Sequence, residues 1–494
     1  MLSAIRTKYL TGPESSIFYI LSLSLMLAII GYIVSNEWLV LLFPFLLVLG
    51  GVFLLDIKAI YYLLWASIPI SIQFYFPNGL STDLPSEPLM VLLMLGVLAI
   101  GISKIKQVPA TYILHPITIL LFLHFAWICL TIFNAHDKVI AFKFAVAKFW
   151  YIIPFYVGSL FFLRTLKDYK RLILSILIPL ASLVLIIIIK HAIEGFTFVA
   201  ANKVIHPFFR NHVNYASILV VFLPFVWFYH RVQTKHIFYI RLLLLSIGVM
   251  FLAGIFLSYT RAAFVSLGLI VFSYYIIRHR LIKYAIVLSL LLSSWWIYSL
   301  VNNNKYLRYA PNYEQTIAHK DFESLLSATY KLKDISTMER VYRWVAGFRM
   351  VHRHPWMGFG PNNFYSNYKS YTIRAFETYV SDNPEKSGIH SYYLMTAVDQ
   401  GLPGLFLFCV LSFLSLIYGE YLYHRIKNKE LKLLLMAALL SQIAILSILI
   451  INDMLETVKV GPFFFLNLAI IVGIDLHTRK LSQTSDPKNI QNTH

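Results

Sequence analysis

The sequence predicts an all-α, polytopic integral membrane protein of about fourteen spanning helices, with one large loop on the far side of the bilayer. Three observations carry that reading. Of 494 residues, 59% are hydrophobic and 13% charged, and the mean hydropathy is +0.69, a balance foreign to a water-soluble globule. Apolar runs of about 17–22 residues recur almost end to end, the length that crosses a ~30 Å hydrocarbon slab as a helix. A strand reading fails because the runs lack period-2 alternation and an open sheet would leave backbone polar groups unsatisfied in lipid.

The runs lie at approximately 17–34, 38–55, 59–76, 88–102, 112–133, 149–163, 172–189, 214–229, 240–258, 262–277, 284–300, 403–422, 432–451 and 460–476. The first is too long for a signal-peptide core, has no small-residue cleavage site behind it, and reads as a retained helix. Lys143 and Lys148 interrupt the approach to the sixth. Cys129 and Cys409 both fall inside expected helices, as small buried residues with no disulfide or thiolate metal site implied. The organisation is therefore a membrane region over 1–300 with about eleven helices, a loop over 301–391, three last helices within 392–476, and a polar, aperiodic tail over 477–494 that reads as disordered.

Orientation follows from lysine and arginine in short loops, which favour the cytoplasmic side. With the amino terminus inside, inner segments hold 22 of the 42 basic residues, the short outer loops hold 8, and the long segment 301–391 holds 12. Both termini are then cytoplasmic and 301–391 is extracytoplasmic. One outer face receives residues 190–213, the junction from Ser258 to Arg261, and the loop. The net charge of +19 is partly an inner basic collar suited to anionic membrane lipids. It is spread over many short loops, with no single stripe of interleaved aromatics, and so gives no nucleic-acid surface.

Within the loop, "STMERVYRWVAGFRMVHRHPWMGFG" reads as one amphipathic helix and its stop. Ser336 and Glu339 have capping-box spacing. Val341, Trp344, Val345, Phe348 and Val351 form an apolar stripe, flanked by Arg340 and Arg349, with Arg343 and Arg353 directed further away. His354-Pro355 ends the helix and Gly358 and Gly360 permit a tight turn. For each arginine the plain alternative is a solvated surface position, and "GFG" after a helix lacks the strand-to-helix context of a phosphate loop. His390 stands where the polar loop returns to the membrane; it either satisfies a local hydrogen bond or accepts a proton near neutral pH. Arg210 precedes the eighth span and Arg261 sits in the tight junction "LSYTRAAF". Snorkelling anchors are common at such depths, but Arg261 is on the outer face, against the charge preference.

In order, "NHVNYASILVVFLP", "LSYTRAAFVSL", "ERVYRWVAGFRMVHRHPWMGFGPNNF" and "HSYYLMTAVDQGLPGLFLF" resemble the O-antigen ligase and O-antigen polymerase superfamily of bacterial envelope enzymes, from about Asn211 to Leu407. The resemblance implies transfer of a glycan from a polyprenyl diphosphate carrier to an acceptor hydroxyl at the outer side of the bacterial cytoplasmic membrane. The acceptor would be a growing glycan, a lipid A core or a protein. It implies Arg210, Arg261 and Arg340 as diphosphate ligands, since planar guanidinium forks suit that charge, and His390 as the general base. A single displacement would invert the anomeric centre. No cofactor is implied, and no outer carboxylate cluster suggests a metal; Asp83 and Glu87 share a loop without an evident partner. The rival readings are a flippase-type transporter, which would place ionisable residues midway along its helices, and a non-catalytic membrane scaffold.

Overall fold

The computed structural model describes residues 26–27, 56–75, 81–104, 109–233, 238–302, 335–376, 381, 383 and 388–484. The expected spans 17–34 and 38–55, apart from residues 26–27, lie outside these, as do residues 303–334 of the loop, the side chain of Ser336 in the expected capping box, and the end of the polar tail. The chain divides into compact units at 1–64 and 65–494. The first contributes to the description mainly the opening of helix α1 (Ile57–Ile70); everything below concerns the second.

Among the described residues, eleven helices are long and apolar enough to cross a membrane, and the protein is a multi-pass membrane protein. They are α2 (Ser86–Ser103), α3 (Pro116–Thr131), α4 (Lys138–Ile152, extended by a π-turn and a short helix to Phe162), α5 (Leu166–Ile193), α6 (His212–Val232), α7 (Phe238–Leu257), α8 (Arg261–Arg278), α9 (Ile282–Val301), then, beyond the non-spanning α10 (Ile335–Arg353), α11 (Tyr392–Arg425), α12 (Lys429–Ile448) and α13 (Gly461–Thr484). α12 and α13 are buried on nearly every side, α6 packs on α12, and α3 lies along α11. By contrast α9 is exposed around almost its whole circumference.

Three elements depart from the hydropathy reading, each for a local reason. The apolar run 59–76 gives the shorter α1, followed by an antiparallel hairpin of β1 (Ile72–Tyr75) and β2 (Ser81–Leu84) with Gln73 opposite Asp83. The end of α1 is answered by Lys459, whose buried ammonium donates to the carbonyls of Ile68, Pro69 and Ser71 at 2.8, 3.1 and 2.8 Å; it satisfies acceptors the helix leaves open. Burial pulls Lys459 down to about 7, opposed by the charge of Asp83.

The second departure is α4, which begins at Lys138 on an Asp137 cap, well before the expected 149. Lys148 is tolerated inside it because it pairs with Glu456 and donates to Tyr392 Oη at 3.1 Å. The third is α11. It starts at Tyr392 and is really two helices, since Gly401 has φ 72° and ψ −179°.

The polar features expected on one face share one end of the spans. The turn after α3 meets the loop through His136 N–H to Phe359 O, Thr260 reaches His212 O, and Tyr392 N–H donates to Leu449 O. At the other end Ile282 N–H donates to Glu420 and Lys170 pairs with Glu430.

Candidate functional site

Helix α10 builds one wall of the site. Its buried stripe is Met338, Tyr342, Ala346 and Met350, the last three packed with Phe364, Tyr368, Phe376, Ile389 and Val398. Val341, Trp344, Val345 and Val351 are partly buried shoulders of that core, whereas Phe348 is 51% exposed. The rotation of the helix corrects the expectation for Arg343, which does not point away. It is buried, its Nη2 donates to Glu339 Oε2 at 3.2 Å, and its Nη1 donates to Gly388 O at 3.3 Å. Glu339 also accepts from Ser381 Oγ at 2.7 Å. A buried cation is tolerable when paired and hydrogen-bonded in this way. Arg349 is exposed and donates to the carbonyls of Tyr371 and Thr372, a tie within the loop.

The glycine turn after α10 is a clasp, and its N–H groups are already engaged. Phe359 and Gly360 donate to Val398 O and Asp399 O at 2.9 and 3.0 Å, Asn362 to Asp399 Oδ2 at 2.8 Å, and Leu402 N–H returns to Pro355 O at 2.7 Å. Gly360 (φ 90°) and Gly401 (φ 72°) occupy left-handed backbone, and a Cβ on Gly401 would lie 2.1 Å from Trp356 O. The turn therefore locks α10 to the break in α11, and through it fixes residues 388–392.

His390 stands immediately before Ser391, whose side chain caps α11. Its φ of 56° is an uncommon conformation for a non-glycine residue, of the kind held at functional sites. Nδ1 lies 4.0 Å from Asp453 Oδ1, with both side chains 29% exposed. Gly388 makes room for that carboxylate, because a Cβ there would meet Asp453 Oδ2 at 2.1 Å. Loss of hydration, then the charges of Arg340, Arg343 and Arg210, hold the His390 imidazole down at about 3. Burial raises Asp453 above the usual carboxylate range, opposed by the same three arginines.

Arg210 is exposed, just ahead of the Asn211 cap of α6. Arg261 is the first residue of α8, after Thr260. Its charge and that of Arg340 both bear on His212, which is held by Asn202 Oδ1, 2.7 Å from its Nδ1. The four residues singled out in the sequence thus fall in one neighbourhood: Arg210 and Arg340 around His390, and Arg261 beside Arg340 through His212.

Three members escaped the sequence reading: Arg343, His212 and Asp453. Asp453 did leave a signal, as a carboxylate in "IINDML", in a short connection between two apolar spans at the same end of the spans as His390. Three residues on, Glu456 pairs with Lys148 and accepts from Tyr392 Oη at 3.1 Å. This ties the α12–α13 connection to the start of α11. Asp83 and Glu87 also have neighbours now: Asp83 faces Lys459, and Thr82 donates to Glu87.

Among known families, the sequence profile of the one described as O-antigen ligase matches residues 246–409. The match runs from within α7 to the second half of α11, and includes Arg261, Arg340, Arg343 and His390 but not Arg210, His212 or Asp453. No curated protein matches the chain.

Proposed function

We propose that this O-antigen ligase-related membrane protein is an envelope glycosyltransferase, acting as a ligase or polysaccharide polymerase at the outer, periplasmic face of the bacterial cytoplasmic membrane. The donor is a glycan on a polyprenyl diphosphate; the acceptor is a hydroxyl of a growing glycan, a lipid A core or a protein. The observation that carries the reading is the gathering of Arg210, Arg340 and Arg343 around His390, whose imidazole is kept neutral by burial first and then by their charge. The basic collar at the opposite end of the spans supports the orientation.

The chemistry asks for two things, and this group can supply both. A diphosphate leaves with its negative charge and without a proton, so its demand is charge stabilisation by preorganised cations. Arg210, Arg261 and Arg340 meet it as ligands. Arg343 reinforces the field from its pair with Glu339. The acceptor hydroxyl loses its proton as its oxygen bonds the anomeric carbon and the carbon–diphosphate oxygen bond breaks on the opposite face, which inverts configuration. His390 takes that proton. With Asp453 on the Nδ1 side, Nε2 is the accepting nitrogen, and the carboxylate stabilises the imidazolium as it forms.

Turnover of a labelled polyprenyl diphosphate glycan by the purified full chain tests the reading and separates it from a transporter or a scaffold. Loss of a positioned base costs about 10²- to 10⁴-fold. His390→Ala should accordingly bind donor, insert normally and transfer almost nothing. Retention of more than about a tenth of the wild-type rate per folded molecule would remove His390 from the chemistry.

A further inference from the structure

At the end of the spans remote from His390, a cavity of about 1230 Å³ opens between α3, the end of α4, the start of α5 and the end of α13. Its walls are largely apolar, with Phe122, Leu123, Leu160 and Phe161 among them, and Tyr156, Tyr169 and Gly473 line its interior. Gly473 helps keep this space open, since a Cβ there would stand 2.9 Å from Tyr169 Oη. Lys104, Arg164, His477 and Arg479 also line it, all exposed, and among the described residues no Asp or Glu lines it.

Arg479 is held in place by a built network: its Nε lies 2.9 Å from Asp475 Oδ2, and its Nη2 donates to Tyr418 Oη at 2.9 Å. Tyr418 in turn donates to Asp475 at 2.8 Å, and His115 Nε2 lies 3.4 Å from the same carboxylate. Leu123 lies about two turns, about 10 Å, along α3 from Pro116. That reaches about a third of the way through the hydrocarbon slab, which keeps it within a single leaflet.

We infer that this cavity is a binding site for an anionic phospholipid, with its acyl chains on the aromatic and aliphatic walls and its phosphate among Lys104, Arg164 and Arg479. The walls accept any hydrocarbon; the charge at the mouth selects the headgroup. A zwitterionic lipid would bring its own ammonium into a rim of cations where the neighbouring carboxylate, Asp475, is already engaged by Arg479 and Tyr418. A polyprenyl diphosphate has its anionic head placed at the other end of the spans by the proposed site. The bound lipid bridges α3, α5 and α13 at the level of their ends.

Native mass spectrometry of the full chain in mild detergent, with phosphatidylglycerol or phosphatidylethanolamine of identical acyl chains, tests the site. One phosphatidylglycerol should be retained in preference. The double variant Lys104→Gln, Arg164→Gln should bind it about thirtyfold more weakly, the equivalent of about 2 kcal/mol at about 1 kcal/mol per cation, with phosphatidylethanolamine unaffected. Leu123→Trp, at a position 50% exposed, obstructs the apolar wall and should weaken retention of both lipids. Equal retention of the two lipids, or unchanged phosphatidylglycerol binding in the charge variant, overturns the inference, and should Leu123→Trp misfold the exposed charge variant still decides it. Displacement of phosphatidylglycerol by equimolar polyprenyl phosphate also overturns it, and would reassign the cavity to the carrier.

Discussion

Lowering the pH from about 7 to about 5 should leave kcat/KM for glycan transfer nearly untouched, although the proposed base is a histidine. An imidazole titrating near 6.5 would be only about 3% neutral at about pH 5, against about 76% at about pH 7, and kcat/KM would fall about 25-fold. His390 sits in another field: lost hydration and the charges of Arg340, Arg343 and Arg210 pull it to about 3, so about 99% of it stays neutral at about pH 5. The sign follows from the direction of the shift, since a depressed pKa keeps the proton acceptor bare further into acid. Donor binding reverses the field, because a diphosphate brings at least two negative charges among the same arginines. The acid limb of kcat, which reports the complex, should therefore lie above that of kcat/KM, which reports the free protein.

Initial rates against pH, with labelled donor at low and at saturating concentration, measure both limbs. Arg340→Gln should raise the limb of kcat/KM. A limb near 6.5 in both wild type and Arg340→Gln would refute the electrostatic argument. Stability should move in the same window: between about pH 6.5 and about 3 the unfolded chain binds a proton at His390 that the folded one refuses, so this group's contribution weakens as pH falls.

Arg210→Lys and Arg261→Lys keep the charge and lose the planar fork, so transfer should fall sharply at unchanged protein level; normal transfer in both would favour simple anchoring at the interface. Gly401→Ala forces a side chain into left-handed backbone against Trp356 O and should cost about 1–3 kcal/mol or more, seen as a lower thermal midpoint. Gly248→Ala, inside α7 with open space around it, should instead be neutral or stabilising by up to about 1 kcal/mol. For topology, a cysteine at exposed Arg374 should react with an impermeant thiol reagent in cells with a permeabilised outer membrane, and one at exposed Lys427 should be protected, after replacement of Cys129 and Cys409. The opposite pattern would invert the orientation and remove the mechanism. Ser381 is unsuited to the probe, being buried on Glu339.

The spans were legible because the bilayer imposes a length and a hydropathy that a single chain can announce, and α3 and α5 to α9 each contain most of their expected run. What hydropathy could not show is how a polar residue inside an apolar stretch is answered. Lys148 looked like an interruption of its helix; its partner Glu456 lies far along the chain, and only the fold brings the two together. The clasp was half visible, since Gly358 and Gly360 announce a turn, but its purpose depends on carbonyls of α11 exposed by the break at Gly401.

The misplacement of Arg343 has the most instructive cause. Reading α10 by its apolar stripe assumes that the face with the most hydrophobic residues is the face that is buried. Here the buried surface also carries Glu339 and Arg343, an i,i+4 pair shielded on a polar shoulder, while Phe348 is left outside. A helix that lines a charged site has to break its own amphipathic pattern, because the side chains facing inward are chosen for the field they create. The same holds for Asp453, whose carboxylate is raised by burial and drawn back by three arginines. On the proposed mechanism it stabilises an imidazolium that exists only while a proton is in transit, and although its carboxylate stands out in "IINDML", a role tied to a passing charge is not written in the pattern of hydropathy.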